Sequence, residues 1–178
     1  PVVMKIASPD ILHKSDIGGV RLNLRSDQEV EQAFTEVVSA AKRFMPSALI
    51  TGVTIDQMIP AGKEVILGMA KDPDFGPMMM FGLGGIYVEV LKDVAFRIAP
   101  INHQEATSMV SEIRTYQLLR GVRGEEPADI PSIVDSLIKL SQMVTDFPEI
   151  IEMDINPLMV MGSGKGAVAV DCRISVDL

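Results

Sequence analysis

Residues 3–24 read VMKIASPDILHKSDIGGVRLNL, and the fold of the N-terminal part turns on this stretch. The run Val2-Val3-Met4-Lys5-Ile6 is apolar apart from one cation and stops at Ser8-Pro9-Asp10, which suits a short buried strand more than a helix. Val20-Arg21-Leu22-Asn23-Leu24 alternates with period two and predicts a second strand. Between them lies a loop that holds His13, Lys14 and Asp16 and closes on Gly18-Gly19, whose backbone tolerates turns and close approaches that side chains forbid.

Working outward, the periodicity changes at Ser26. Ser26 with Glu29 three residues on has the form of a capping box, and Val30, Ala33, Phe34, Val37, Val38 and Ala41 make one apolar stripe, so a helix is expected to end near Phe44-Met45-Pro46. ALITGVTIDQMI and EVILGMAKD read as the two strands of a hairpin joined by Pro60-Ala61-Gly62. Pro77-Met78-Met79-Met80-Phe81 is a further buried strand running into Gly82-Leu83-Gly84-Gly85, and Val94-Ala95-Phe96-Arg97-Ile98 is another that stops at Pro100. Helices are expected from about 104 to 119 and from Pro131, taken as the first helical position, with the polar GVRGEEPAD as the loop between them. IIEMDINPLMV and GAVAVDCRISV close the chain as two strands around the Gly-Ser-Gly-Lys-Gly turn at 162–166. The order is an α+β mixture of hairpins, not the regular βαβ alternation of a doubly wound sheet.

Composition narrows the function. The apolar share is 47%, yet no stretch approaches the roughly 18 consecutive apolar residues of a spanning helix, so no membrane partner is expected. A net charge of −8 provides no basic field for nucleic acid. The first residues hold no basic segment followed by an apolar run, and one cysteine, Cys172, builds no disulfide framework, so a cytoplasmic, reducing setting is expected, with the given sequence starting inside a domain. An acidic chain that binds polyphosphate must meet it with local cations, backbone amides and Mg²⁺.

Three groups of residues carry chemistry on this reading. Lys5 sits in an apolar strand and needs an anion or an exit to solvent, the anion being a phosphate or a carboxylate. His13 lies in a glycine-bearing loop beside Lys14: a neutral imidazole is a nucleophile toward phosphorus, and the plain alternative is a loop histidine bonded to its own turn. His103, just ahead of a helix beside Asn102, reads as structural. Glu152, Asp154 and Asn156 alternate onto one strand face, and Asp171 in the facing strand is the candidate to join them, giving oxygen ligands of the kind Mg²⁺ takes, or an ordinary solvated face. Gly82 to Gly85 lack the spacing of a Rossmann or P-loop fingerprint, and there is no Walker A lysine motif, CxxC or GxSxG.

VMKIASPDILHKSDIGGVRLNL, KEVILGMAKDPDFGPMMMFGLGGIYVEVLKDVAFRIAP and EMDINPLMV, in this order, resemble the β subunit or ATP-grasp domain of ADP-forming acyl-CoA (acetyl-CoA) synthetases, relatives of succinyl-CoA synthetase, over nearly the whole chain. The resemblance implies an ATP-grasp fold, α+β, with two lobes of mixed and antiparallel sheets around a nucleotide cleft. Lobe one would be about 1–58 and lobe two about 59–178, with the N-terminal portion of the family domain missing. It implies the reversible reaction of acyl-CoA, ADP and phosphate to acid, CoA and ATP, with a phosphohistidine on the CoA-binding subunit as first carrier and His13 as the second. By the same resemblance Lys5 contacts nucleotide phosphates, and Gln57, Met58 and Ile59 form a hinge strand facing the adenine. Glu64 with Gly84 and Gly85 of the glycine loop line the site, and Asn156 and Asp171 hold Mg²⁺. ATP or ADP and Mg²⁺ are the cofactors, and the partner is a CoA-binding α subunit or fused domain, so the chain alone should not complete the reaction. Two other outcomes of such a sequence are a non-catalytic regulatory module of a protein acetyltransferase and an ATP-grasp ligase that forms an acyl phosphate, where a loop histidine has no required role.

Overall fold

A computed structural model describes residues 1–11, 13–85 and 90–177. Leu12 of the histidine loop and residues 86–89, within the second segment quoted for the resemblance, lie outside the described residues. The chain divides into two compact units, Pro1–Ile59 and Pro60–Leu178, each with its own core.

In the first unit β1 (Val2–Ala7) is the middle of a three-stranded sheet, with β2 (Val20–Leu24) on one side and β3 (Gly52–Gln57) on the other, both antiparallel to it. Helix α1 (Asp27–Phe44) begins where the periodicity requires, because the Ser26 hydroxyl accepts the Glu29 N–H at 3.2 Å. The Glu29 carboxylate reaches one residue beyond the expected capping box and accepts the Arg25 N–H at 2.7 Å. Asp27 and Glu29 in the first turn, with Lys42 and Arg43 in the last, suit the helix dipole. Ala33, Val37 and Ala41 then bury against Met4, Ile6, Ile11 and Leu24.

The second unit is built on β4 (Lys63–Asp72), β5 (Gly76–Leu83), β6 (Val94–Ile98), β7 (Ile150–Val160) and β8 (Ala167–Ala169), in the sheet order β6-β5-β4-β7-β8. A further strand, β9 (Cys172–Val176), also pairs with β7. All these pairings are antiparallel. Alternation sends Val65, Leu67, Met69, Met79, Phe81 and Met153 to one face. There they meet Ala106, Met109 and Val110 of α2 (His103–Glu112) and Ile133, Leu137 and Leu140 of α4 (Ile130–Asp146).

Three expectations need correction. The hairpin expected on either side of Pro60-Ala61-Gly62 does not form: β3 pairs with β1, whereas β4 pairs with β5 and β7 in the other sheet. The single helix expected over about 104 to 119 is two, α2 and a short α3 (Tyr116–Leu119). The buried Asp93 carboxylate takes the N–H groups of Arg114 and Thr115 at 2.9 and 2.8 Å together with the Thr115 hydroxyl, which removes those amides from a helical ladder. Pro131 is not the first residue of α4: Asp129 caps the helix by accepting the Ser132 N–H, so Ile130 precedes the proline inside the helix. His103 is the exposed first residue of α2, with Asn102 and Glu105 closing a capping box around it.

Candidate functional site

In the first unit the histidine loop is fastened on both sides of His13. On the early side Asp10 accepts the Leu49 N–H at 2.7 Å and Ile11 is buried. On the late side Gly19 donates to the Lys14 carbonyl at 2.8 Å, and Ile6 of β1 donates to the Gly19 carbonyl at 2.8 Å. Gly18 turns the chain at φ +70°. A Cβ on Gly19 would lie 2.8 Å from both Ile6 Cγ2 and the Lys14 carbonyl oxygen, so only glycine lets the loop close on β1. Between these fastenings His13 is exposed, free of burial that would keep a reactant from its ring.

Lys5 stands on β1 opposite Val20 on one side and Thr54 on the other. Its ammonium is 3.6 Å from the Asp56 carboxylate, with the lysine side chain 16% exposed and the aspartate 52%. The anion that the sequence left undefined is therefore a carboxylate in this structure, at a separation beyond a good hydrogen bond. Asp56 escaped the sequence reading, although it alternates with Thr54 onto the Lys5 face. Gln57 ends β3 exposed, while Met58 and Ile59 are half-buried and the Met58 N–H is spent on the Pro1 carbonyl at 3.2 Å.

In the second unit Glu64 and the glycine loop come together. Gly84 donates to the Glu64 carbonyl at 2.8 Å, and a Cβ on Gly84 would sit 3.0 Å from the Glu64 Cβ. Gly85 follows at φ +61° with the Glu64 carboxylate beside it. Glu64 is exposed and pairs with Met159 of β7, which puts it on the face away from the helices.

Asn156 and Asp171 meet directly. The Asn156 N–H donates to the Asp171 carbonyl at 3.1 Å, and the flanking pairs Ile155 with Cys172 and Leu158 with Ala169 hold the same register. Residues opposite one another in an antiparallel ladder share a face, so both side chains leave the sheet on the side away from Met153 and the helices. Both are exposed, and β8 and β9 are one strand line interrupted opposite Asn156-Pro157. Two side-chain oxygens on one face fit Mg²⁺, which takes one or two protein oxygen ligands and fills the rest of its octahedron with phosphate and water. Among the described residues no three His, Cys, Asp or Glu side chains gather as a metal-binding group.

The wider acidic set expected around this pair is divided. Glu152 and Asp154 share the face, but Arg173 lies opposite Asp154, with Nε 3.2 Å from Asp154 and a terminal nitrogen 3.3 Å from Glu152. Sequence reasoning passed over Arg173; its signal was the period-two spacing from Asp171, which places both on one face. Next to them burial pushes the Cys172 thiol up, and the negative charges of Asp154 and Asp171 push it further.

A sequence profile described as ATP-grasp domain matches residues 1–176. Acetate–CoA ligase [ADP-forming] I subunit beta of Pyrococcus furiosus is 49% identical over 174 residues, which cover 98% of this chain and 74% of that subunit. Acetate–CoA ligase [ADP-forming] I of Archaeoglobus fulgidus is 54% identical over 168 residues, 94% of this chain but 24% of that protein, so the chain spans about a quarter of such longer relatives. Among solved structures, the dinucleotide forming acetyl-coenzyme A synthetase 1 of Ca. Korarchaeum cryptofilum, in complex with coenzyme A, Ca-AMPCP and HgCl⁺, superposes with a TM-score of 0.94 at 47% identity, covering 99% of this chain and 76% of that one. Another structure of that protein, with coenzyme A, Mg-AMPPCP and its phosphohistidine segment pointing towards the nucleotide binding site, gives a TM-score of 0.84 at 44% identity with the same coverage. Among the described residues no helix is long and apolar enough to cross a membrane.

Proposed function

This chain belongs to the ATP-grasp family, in the group of ADP-forming acetate–CoA ligase β subunits, and from that premise we propose that it is the nucleotide-binding phosphotransfer part of an ADP-forming acyl-CoA synthetase. The observation that carries the reading is the exposed His13 on a loop fastened at Asp10 and at Gly19. Such a loop presents an imidazole while its ends keep their place on β1. The reaction is acyl-CoA, ADP and phosphate to acid, CoA and ATP. A phosphoryl group formed in the CoA-binding half must reach ADP, and transfer requires the reacting atoms within about 3 to 3.5 Å. A phosphoryl carrier that meets the two sites in turn satisfies that demand.

In the first transfer a ring nitrogen of His13 attacks phosphorus, the P–N bond of the new phosphohistidine forms, and the bond to the first carrier breaks. In the second, a terminal oxygen of ADP attacks, the P–N bond breaks, and neutral imidazole is regenerated with ATP. Lys14, next to His13 in the chain, and Lys5, on exchanging Asp56 for a phosphate oxygen, would supply positive charge to the transferring group. Asn156 and Asp171 would hold Mg²⁺, which would supply charge neutralisation at the phosphate oxygens. The backbone of Gln57, Met58 and Ile59 faces the adenine, and Glu64 with Gly84 and Gly85 borders the phosphates. The Met58 carbonyl and its neighbours serve in this, since the Met58 N–H is occupied. The CoA-binding half is a separate subunit or part of a longer chain, and the acidic charge with a lone cysteine suits a reducing cytoplasm.

The test is rapid mixing of the complete synthetase with γ-labelled ATP, trapping of acid-labile, base-stable phosphoprotein, and mapping of the label. Label on the peptide containing His13 is expected. ATP turnover without it points to direct transfer or an acyl-phosphate ligase, and neither label nor turnover points to a regulatory module.

A further inference from the structure

We infer that Arg21 is a positioning residue for phosphoryl transfer, holding the late root of the His13 loop against helix α1; this rests on the reading of His13 as the carrier. Arg21 pairs with Met4 in the β1–β2 ladder, and Met4 packs in the core that α1 covers, so the guanidinium leaves β2 on the helix side. There Nε donates to the Glu36 carboxylate at 3.1 Å, and one terminal nitrogen donates to the Gly18 and Val20 carbonyls, each at 3.1 Å. Gln32, one helical turn earlier, donates to the other Glu36 oxygen at 2.9 Å and fixes the carboxylate for this contact. Gly18 itself lies on the helix: a Cβ built there would be 3.9 Å from Ala40 Cβ, one turn beyond Glu36.

The fixed point reaches His13 through the turn that follows it. The Gly18 N–H donates to the Ser15 carbonyl at 3.1 Å and the Gly19 N–H to the Lys14 carbonyl at 2.8 Å, closing residues 14–19 as one turn that starts on the chain neighbour of His13. Ile6 of β1 holds the Gly19 carbonyl and Arg21 holds the Gly18 carbonyl. Successive carbonyls of the turn are thus tied to the sheet and, through Glu36, to the helix. Without the guanidinium the second tie is lost, while the buried residues of this unit keep their packing. Arg21 and Glu36 are 37% and 43% exposed, so their pair adds little to stability and acts on the position of the turn. A lysine does not replace it, because a single ammonium lacks the planar fork that serves a carboxylate and two carbonyls together.

The experiment compares the complete synthetase with its variants by rapid-quench labelling from γ-labelled ATP in a single turnover, by calorimetric binding of ADP, and by amide hydrogen exchange. In Arg21→Gln the rate at which label reaches His13 is expected to fall roughly tenfold, within the hundredfold that about an ångström of misplacement can cost. ADP affinity should stay at the parent value, and the Gly18 and Gly19 amides should exchange faster. Arg21→Lys should not restore the rate. Glu36→Ala should show part of the loss, and combining it with Arg21→Gln should add nothing, because both act through one guanidinium. A general structural lesion would instead lower ADP affinity and transfer together. Parent-rate labelling or parent-like exchange in Arg21→Gln, a fall in ADP affinity that matches the fall in rate, full recovery by Arg21→Lys, or losses that multiply in the double variant overturn the inference. The two readings separate in the parent: no label on His13 there rejects the carrier reading itself, whereas parent labelling that Arg21→Gln leaves unaltered rejects only the role of Arg21.

Discussion

The Asn156 N–H donates to the Asp171 carbonyl at 3.1 Å, which fixes these two residues opposite one another and sends both side chains from the same face of the sheet. Had the register slipped by one residue, their oxygens would point to opposite sides. Asn156→Ala and Asp171→Asn should therefore each raise the Mg²⁺ concentration needed for half-maximal ATP formation, by roughly 10- to 100-fold. This is the range typical when a metal site loses part of its support. A Mg²⁺ titration of the full synthetase checks it, and equal requirements in parent and variants would remove both residues from the metal site.

His13→Ala should leave nucleotide binding near the parent value, since the ring is exposed and supports no packing. It should also leave the CoA-binding half able to form its own phosphohistidine from acyl-CoA and phosphate. ATP formation should fall by several orders of magnitude, as expected when a covalent intermediate is removed. Titration calorimetry with ADP and a steady-state assay of the assembled enzyme measure the two sides of this prediction, and near-normal ATP synthesis would reduce His13 to a loop residue.

Gly19→Ala tests the fastening of the histidine loop. The new methyl group would meet Ile6 Cγ2 and the Lys14 carbonyl at 2.8 Å, one of them backbone, so the loop or β1 must shift. A destabilisation of about 1 to 3 kcal/mol is expected from overpacking of this kind. Denaturant melts of the parent and the variant measure it, and a loss of transfer rate with nucleotide affinity retained should accompany it. A variant as stable as the parent would show that the loop relaxes without cost.

Asp93→Ala should destabilise the second unit by about 1 to 3 kcal/mol, because it leaves the Arg114 and Thr115 amides without their acceptor at the break between α2 and α3. Burial pushes the Asp93 carboxyl up, but the Thr115 hydroxyl and the Arg114 and Thr115 amides outweigh it and hold the group below its ordinary range. A carboxyl depressed on folding stabilises above its unfolded value of about 3.9 and loses that contribution as pH falls through the lower folded value. The stability gap between parent and Asp93→Ala should thus be full at neutral pH and begin to narrow below about pH 4. A gap that stays constant into acid would contradict the assignment.

Much of the fold was legible because local chemistry dictates it. The Ser26 cap, the α1 stripe, the apolar run of β4 and the alternation of β2 and β7 each follow from residues a few positions apart, where hydrogen bonds and periodicity act without help from the rest of the chain. The break at Ile113 to Thr115 was not legible, because its cause is Asp93, an acceptor far back in the sequence that helical periodicity cannot report. Residue chemistry singled out Lys5, His13, Asn156 and Asp171, and resemblance gave them roles and added Gln57 to Ile59, Glu64, Gly84 and Gly85, while Asp56 and Arg173 were missed.

By itself, then, the sequence determined the residue types available for phosphate chemistry and the strands and helices that carry them, since both depend on composition and short-range pattern. Tertiary structure alone decided which of those residues are neighbours. The pairing of Asn156 with Asp171, the seat of Gly84 on Glu64, and the capture of Asp154 by Arg173 depend on strand register. Register is set by the burial of whole apolar faces and by turns such as 162–166, held by the Asp129 carboxylate through the Gly166 N–H at 2.7 Å, and no single segment of the chain encodes it.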